Sequence, residues 1–528
     1  YPPSPGGTRV TSIRRHPGAL RRCALAALPI LAVALLSACA TQALVEEPAR
    51  PAPSYASAPA ESGILAEMAS RIETAHGPEH SGFHLLDSSL DALTWRLALI
   101  DSATTSLDIL TYLWYPDVSG ELVLERAIRA AQRGVRVRMV VDDLMTMGQD
   151  PALANIQALP NIELRLFNPW KQRNLGARAG EMIAEMERLN SRMHDKLIIV
   201  DGRATVLGGR NIGDHYFGLN ENYNFHDLDV LAIGALAADA NGMFDEFWNS
   251  EWLASAEQLT TEPDPEKARQ GWVRLQLRNR DARELESFPV DPKNWGSEWA
   301  VLEPALRPGT GYLVYDDVAS GEIGQGMLGT MFAFFEQAQE ELLITNAYII
   351  PGEPGMDMLQ RLGERGVDIR ILTNSLASHD VPAVNSHYEP WRQRIIQTGT
   401  HLYEMRADAE IQSIVDVPPV SGKFVGLHTK AAVADGRYVF IGSMNLDPRS
   451  AAINTEMGAI IDSPMLAADL RDVMLRDMSG ENAWQVTLDD RSNLQWTNAD
   501  ETVTSQPKRG FLQSVMNTVF KVVPREQF

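Results

Sequence analysis

Apolar positions along this chain fall into two matching sets of short runs. Residues 106–112 (Ser-Leu-Asp-Ile-Leu-Thr-Tyr) read as a strand, 121–133 as a helix, and 135–141, after Gly134, as a second strand. The same succession recurs at 341–348, 356–365 and 367–372, with Arg-Gly-Val leading into the second strand both times. Strand, helix and strand in this order form a right-handed βαβ unit, and short apolar runs suit a sheet covered on both faces. Each set closes with a second matched block, 194–211 and 428–445, in which Asp201-Gly202 and Asp435-Gly436 join two apolar runs. Asp-Gly between such runs is a strong hairpin signal. The pattern predicts an α/β protein built from one unit used twice: a first domain at 76–253, a connector rich in Pro, charge and scattered Trp at 254–320, and a second domain at 321–504.

Composition narrows the class. With 528 residues, 45% hydrophobic and 22% charged, the chain is neither mainly disordered nor a polytopic membrane protein. Its formal charge of -22 argues against broad binding to nucleic-acid backbones, which rests on Lys and Arg neutralising phosphates. Two cysteines, Cys23 and Cys39, exclude a disulfide scaffold and a multi-cysteine zinc site.

The ends read differently from the middle. Arg14, Arg15, Arg21 and Arg22 precede an apolar run at 24–36 that is short for a membrane span, the pattern of a secretory leader. The run ends in Leu36-Ser37-Ala38-Cys39, which resembles a bacterial lipoprotein signal. That resemblance implies a signal peptide of residues 1–38, lipidation of Cys39, and a chain lipid-anchored in the cell envelope facing the periplasm. Ala40 after the cysteine favours the outer membrane. An ordinary secretory leader is the alternative. Residues 39–75, with Pro, Ala and Ser concentrated at 41–62, read as a flexible tether. Residues 505–528 read as a basic amphipathic helix with Phe511, Val515, Val519 and Val523 on one stripe, suited either to a membrane interface or to docking on the body.

The candidate chemistry sits in the second matched blocks. On a strand, residues i and i+2 share a face, so His194 and Lys196 project together, as do His428 and Lys430. An imidazole beside a fixed cation suits phosphate-ester chemistry: the ammonium stabilises the non-bridging oxygens, one histidine acts as nucleophile, and a second protonates the leaving oxygen. Gly209 and Ser443 allow close backbone approach, and Asn211 and Asn445 offer side-chain amides to bind substrate.

His-x-Lys-x4-Asp, twice, each followed by Gly-Gly/Ser-x-Asn, resembles the phospholipase D superfamily over roughly residues 85–463. The finer strings are 208–214, His226-Asp227-Leu228-Asp229, 380–384, 442–450 and Asn454-Thr455-Glu456. They resemble bacterial cardiolipin synthases of the C type. The resemblance implies two phospholipase D-like α/β/α sandwich domains with one active site at their interface. It also implies a two-step transfer without metal or cofactor through a phosphatidyl-histidine. By it the catalytic motif residues are His194, Lys196, Asp201, His428, Lys430 and Asp435, with His194 the nucleophile and His428 the acid/base; the reverse assignment stays open. Asp201 and Asp435 orient the motif loops. Glu456 and Asp227, or Asp229 in its place, hold the opposite imidazole.

The implied reaction is phosphatidyl transfer between phospholipids, giving cardiolipin. Hydrolysis is the alternative, and a periplasmic nuclease or an inactive lipid-binding protein are rivals. The expected partners are phospholipids and a membrane, with no nucleic acid. Asp142-Asp143 read as a strand end without further metal ligands, and His215, His226, His379, His387 and His401 as structural or close to substrate.

Overall fold

The computed structural model describes residues 50–146, 148–318, 326–510 and 513. The expected signal peptide, Cys39 and most of the basic tail lie outside the described residues. Residues 171–186 fall in a unit of their own; there the helix Leu175–Ala184 opens on Asn174, whose side chain accepts the Ala177 N–H. The functional groups all lie in the other unit, 49–170 and 187–528.

That unit is built twice from the same run of elements. In the first copy, strands Ser106–Thr111, Arg136–Asp142 and Ile162–Phe167 pair in parallel, and Lys196–Val200 joins antiparallel to the first of them. Ala204–Gly208, Asp229–Gly234 and His80–Leu86 continue the sheet antiparallel. In the second copy Glu341–Asn346, Asp368–Asn374 and His401–Met405 are parallel, and Lys430–Ala434, Tyr438–Gly442, Met457–Asp462 and Arg307–Tyr315 follow antiparallel. His80–Leu86 pairs with Arg307–Tyr315, so one continuous ladder joins the two copies. Helices Leu236–Trp248 and Pro464–Asp477 bury Met243, Phe244, Phe247, Leu466, Leu470 and Met474 in one apolar cluster with strands of both copies. Ser89–Ser102 and Val118–Gln132 cover the other face of the first sheet, and Met327–Glu336 and Gly352–Glu364 that of the second. The α/β reading and the doubled unit are therefore met in the structure, with each sheet covered on both faces as its apolar runs require.

Both Asp-Gly hairpins have the left-handed geometry that pair favours: φ is 57° and 60° at Asp201 and Gly202, and 52° and 60° at Asp435 and Gly436.

Two stretches differ from expectation. The tether gives way to structure well before residue 75. Ile64–His76 is a helix that buries Leu65, Met68, Ala69 and Ile72, spaced as one helical stripe. Residues 50–60 lie along the first copy, with the Ala56 N–H on Asp245 and the Ala60 N–H on the Asp201 carbonyl at 2.8 Å. Pro, Ala and Ser there signal an absence of regular structure, not an absence of contacts. The expected connector holds the helix Pro265–Asp281 and, at Arg307–Tyr315, the joining strand itself. Among the described residues no helix is long and apolar enough to cross a membrane.

Candidate active site

Each motif histidine precedes its strand at the point where the two copies exchange backbone hydrogen bonds. The His194 N–H donates to the Thr455 carbonyl at 3.0 Å and the Thr455 N–H returns to Arg192 at 2.9 Å. Equivalently, Val425–Leu427 pairs in parallel with Asn224–His226, and the His428 N–H donates to the His226 carbonyl at 2.8 Å. The segment leading into one copy's histidine is thus held by the segment carrying the other copy's carboxylate.

The side chains cross in the same way. His194 Nδ1 meets Glu456 Oε2 at 2.9 Å, and His428 Nδ1 meets Asp227 Oδ2 at 2.6 Å. Asp227 is therefore the partner in the first copy. Asp229 is spent elsewhere, between the buried guanidiniums of Arg96 and Arg210 at 2.9 and 3.0 Å. Both imidazoles are buried but not sealed, at 8% and 6% exposure. With Nδ1 engaged, Nε2 is the atom each ring has left for a phosphorus or a proton. Lys196 and Lys430 each donate to the carbonyl of their own histidine, and each ammonium acts on both imidazoles or on the other ammonium. All four motif side chains therefore share one electrostatic environment.

That environment is crowded with cations. Burial, with Lys196 and Lys430 adding to it, holds His194 well below the ordinary imidazole value. Burial and Lys430 also lower His428, against the pull of Asp227. Burial pushes Lys196 down to about 7 and Lys430 to about 8. The two carboxylates diverge. Burial would raise Asp227, but His428, Lys430 and Arg210 outweigh it and hold it below the usual carboxylate range. Burial raises Glu456 well above that range, with Lys196 and Ser443 opposing. A bound phosphodiester anion supplies the negative charge this cluster lacks.

The remaining expected site residues separate into those at the cluster and those away from it. Asp201 and Asp435, part of the His-x-Lys-x4-Asp motif, sit at the far ends of their strands, roughly 17 Å of extended chain beyond the lysines. There the Asp201 carboxylate accepts the N–H groups of Thr104, Thr105 and Ser106, and that of Asp435 accepts those of Gln339, Glu340 and Glu341. They fix the start of the first parallel strand of each copy and touch no reacting atom. Gly209 and Ser443 stand behind the carboxylates. A Cβ at 209 would lie 2.2 Å from Asp227 Oδ1, while Ser443 Oγ donates to Glu456 Oε2 at 2.5 Å. Asn211 donates to the Tyr216 hydroxyl at 2.8 Å and accepts the Leu113 N–H, whereas the buried Asn445 Oδ1 has no donor among the described residues.

Residues outside the motifs complete the support. Asp142 accepts the Met193 N–H at 3.0 Å and Asn374 the Leu427 N–H at 3.0 Å, each bond fixing the residue before a motif histidine. Register places 142 and 374 at equivalent positions, a signal that aligning the two repeats carries. Tyr112 meets the His194 ring edge-on at 5.1 Å, and Tyr216 and Phe225 flank His428 at 5.3 and 5.0 Å. Of the other histidines, His226 is held by Asp477 at 2.7 Å, His379 stacks on Tyr348, His215 lies against Tyr223, His387 is buried in the helix Pro382–Tyr388, and His401 lies near Asp368 on the surface. Among the described residues no group of three or more His, Cys, Asp or Glu could hold a metal ion.

The family described as "Cardiolipin synthase, PLD-like domain" matches residues 97–248 and 331–478, one segment in each copy. The chain belongs to this family. Cardiolipin synthase C of Escherichia coli (strain K12) is 35% identical over 85% of this chain and 96% of its own length. An uncharacterized protein of Helicobacter pylori (strain J99) is 31% identical over 85% and 90%. Among solved structures, the phosphatidylserine synthase of Haemophilus influenzae shares the fold, with a TM-score of 0.52 and 14% identity over 78% of this chain and 91% of that one. The chain is an enzyme of the phospholipase D type, a phosphatidyltransferase, with phospholipids as its substrate class.

Proposed function

We propose that this enzyme forms cardiolipin by moving a phosphatidyl group from one glycerophospholipid to the glycerol headgroup of phosphatidylglycerol. The observation that carries the mechanism is the crossed pairing of His194 with Glu456 and His428 with Asp227. Two imidazoles presented from two copies to one cationic cluster suit in-line displacement at a single phosphorus, one on the attacking side and one on the leaving side.

In the first step His194 Nε2 attacks phosphorus, the bond to the departing headgroup oxygen breaks, and His428 gives that oxygen a proton. In the second step His428 takes the proton from the incoming hydroxyl, whose oxygen displaces His194. Atoms and protons balance over the two steps. Lys196 and Lys430 hold the non-bridging oxygens, with Asn445 a further candidate contact.

The surroundings favour this assignment of roles over its reverse. Asp227 is held ionised and pulls His428 upward against burial and Lys430, so His428 is lowered less than His194 and keeps a proton more readily, as an acid/base needs. His194 is held neutral among cations, as a nucleophile needs. The leader pattern supports placing the enzyme in the bacterial envelope, anchored through Cys39 and facing the periplasm, at the outer membrane.

The test is incubation of purified protein with labelled phosphatidylglycerol, with and without a second phospholipid, followed by separation of the lipids. Cardiolipin as the main product is expected. Phosphatidate alone would make water the acceptor and overturn the transfer reading.

A further inference from the structure

The loop that follows strand Asp368–Asn374 brings a carboxylate toward His428 that the two-step chemistry does not use. Asp380 is fixed by Tyr348, whose hydroxyl bonds its two oxygens at 2.8 and 3.0 Å. The His379 ring stacks on Tyr348 at 5.2 Å and accepts the Val381 N–H, so the loop is braced from both sides. The Asp380 side chain keeps 17% exposure, so it is reachable from solvent. Its charge acts on the His428 ring, on Lys430, and on Tyr115, His215 and Tyr223. Those last three begin a row of rings that ends at the motif histidine: Tyr115 to His215 at 6.3 Å, His215 to Tyr223 at 4.6 Å, Tyr223 to Phe225 at 5.3 Å, and Phe225 to His428 at 5.0 Å.

The first copy's equivalent loop spends its carboxylates on its own framework: Asp142 binds Arg192 and the Met193 N–H, and Asp143 binds the Trp170 N–H at 2.8 Å. The reachable carboxylate of Asp380 therefore stands on the His428 side, where the proposed reaction releases one headgroup and admits the next.

We propose that Asp380, backed by Tyr348 and bordered by this row of rings, is the recognition group for the alcohol that enters at His428, accepting hydrogen bonds from the free hydroxyls of a glycerol headgroup. The proposal rests on the transfer reading above and names the acceptor subsite within it. A carboxylate beside rings also suits an ammonium ion. Two cations already bear on this one, however: Lys430, and Arg509, which donates to the His379 carbonyl at 2.9 Å and lies over the Phe424 ring. A third cation meets their repulsion, whereas a neutral diol gives hydrogen bonds without adding charge.

The test uses the full chain on phosphatidylglycerol vesicles with deuterated glycerol, ethanol and ethanolamine competing as acceptors, and mass spectrometry of the phosphatidyl products. Wild-type protein is expected to prefer glycerol. Asp380→Ala should lower the glycerol-to-ethanol product ratio about tenfold or more, because a site built to bond hydroxyls discriminates against analogues lacking them. Asp380→Asn, which keeps the shape and one acceptor oxygen, should give a smaller fall and guards against misfolding of the alanine variant. An unchanged ratio in both variants, with the two products falling in proportion or not at all, overturns the subsite and leaves the transfer reading intact. Wild-type preference for ethanolamine overturns it as well, in favour of an amine site. Wild-type protein that forms no phosphatidyl alcohol removes the transfer reading and the subsite with it.

Discussion

The two copies keep the same backbone scheme and solve its electrostatics differently. Both fix the residue before the motif histidine with a side chain at the end of the second strand, but Asp142 does so paired to Arg192 and Asn374 does so as a neutral amide. Both present a carboxylate across the seam. The first copy uses the shorter Asp227 against a glycine and the second uses Glu456 against Ser443. Behind Asp227 lies the buried Arg96–Asp229–Arg210 group; the register-equivalent positions of Asp229 and Arg210 in the second copy are Gly458 and Met444. The comparison teaches that the shared scheme decides where the histidines stand, and the unshared charges decide what each can do. Asp227 is held ionised by His428 and Lys430, with Arg210 adding to them, whereas Glu456 is pushed toward its neutral form by burial.

The largest break in this comparison is removal of either histidine. His194→Ala and His428→Ala should each cut transfer on the order of 10³-fold or more, because each step needs both imidazoles. A rate assay in which one variant kept substantial activity would remove the paired mechanism. Next comes Gly209→Ala, just after the strand Ala204–Gly208. Here the new methyl meets Asp227 at 2.2 Å, so the carboxylate must move off His428 and activity should fall about 10²-fold, as in Asp227→Ala. Activity within a few-fold of wild type would mean that Asp227 does not govern His428.

Ser443→Gly converts the second copy to the first copy's arrangement with a smaller effect, read best as a pH profile. The nucleophilic state needs Glu456 ionised with the proton on His194 Nδ1, and the Ser443 hydroxyl lowers the Glu456 pKa. Without it that pKa rises, so the acid limb of kcat/KM should move to higher pH, with under about tenfold loss at the optimum. The alkaline limb, set by loss of the Lys196 proton at about 7 and the Lys430 proton at about 8 in the free enzyme, should stay in place. An acid limb that moved down or not at all would contradict the role given to Ser443. Smallest for chemistry is Asp201→Ala. It strips three N–H groups of their acceptor far from the site and should cost about 1–3 kcal/mol in denaturant unfolding, with activity per folded molecule unchanged.

The sequence carried the repeat, the hairpins and the histidine–lysine pairs because each depends on local spacing: period two on strands, and Asp-Gly where φ must be positive. It left Asp227 and Asp229 unresolved because that choice depends on where the fold places Arg96 and Arg210, residues 131 and 17 positions away from Asp227 in the chain. It grouped Asp201 and Asp435 with the catalytic motif because spacing cannot tell which end of a strand bears the chemistry. It read 50–75 as tether because composition reports missing regular structure, while hydrogen bonds from Ala56 and Ala60 to distant residues have no local signature. Asp380 and Tyr348 likewise meet only in three dimensions, across 32 positions.

The central claim is that one phosphorus is passed between imidazoles of the two copies, with His194 as the covalent carrier. The direct measurement is rapid acid-free quenching of the full chain during turnover of phosphatidylglycerol carrying ³²P, followed by peptide mapping of the label. The account predicts a phosphatidyl group on the peptide containing His194, absent in His194→Ala and persisting longer in His428→Ala. Label on His428 in the wild-type protein would contradict it.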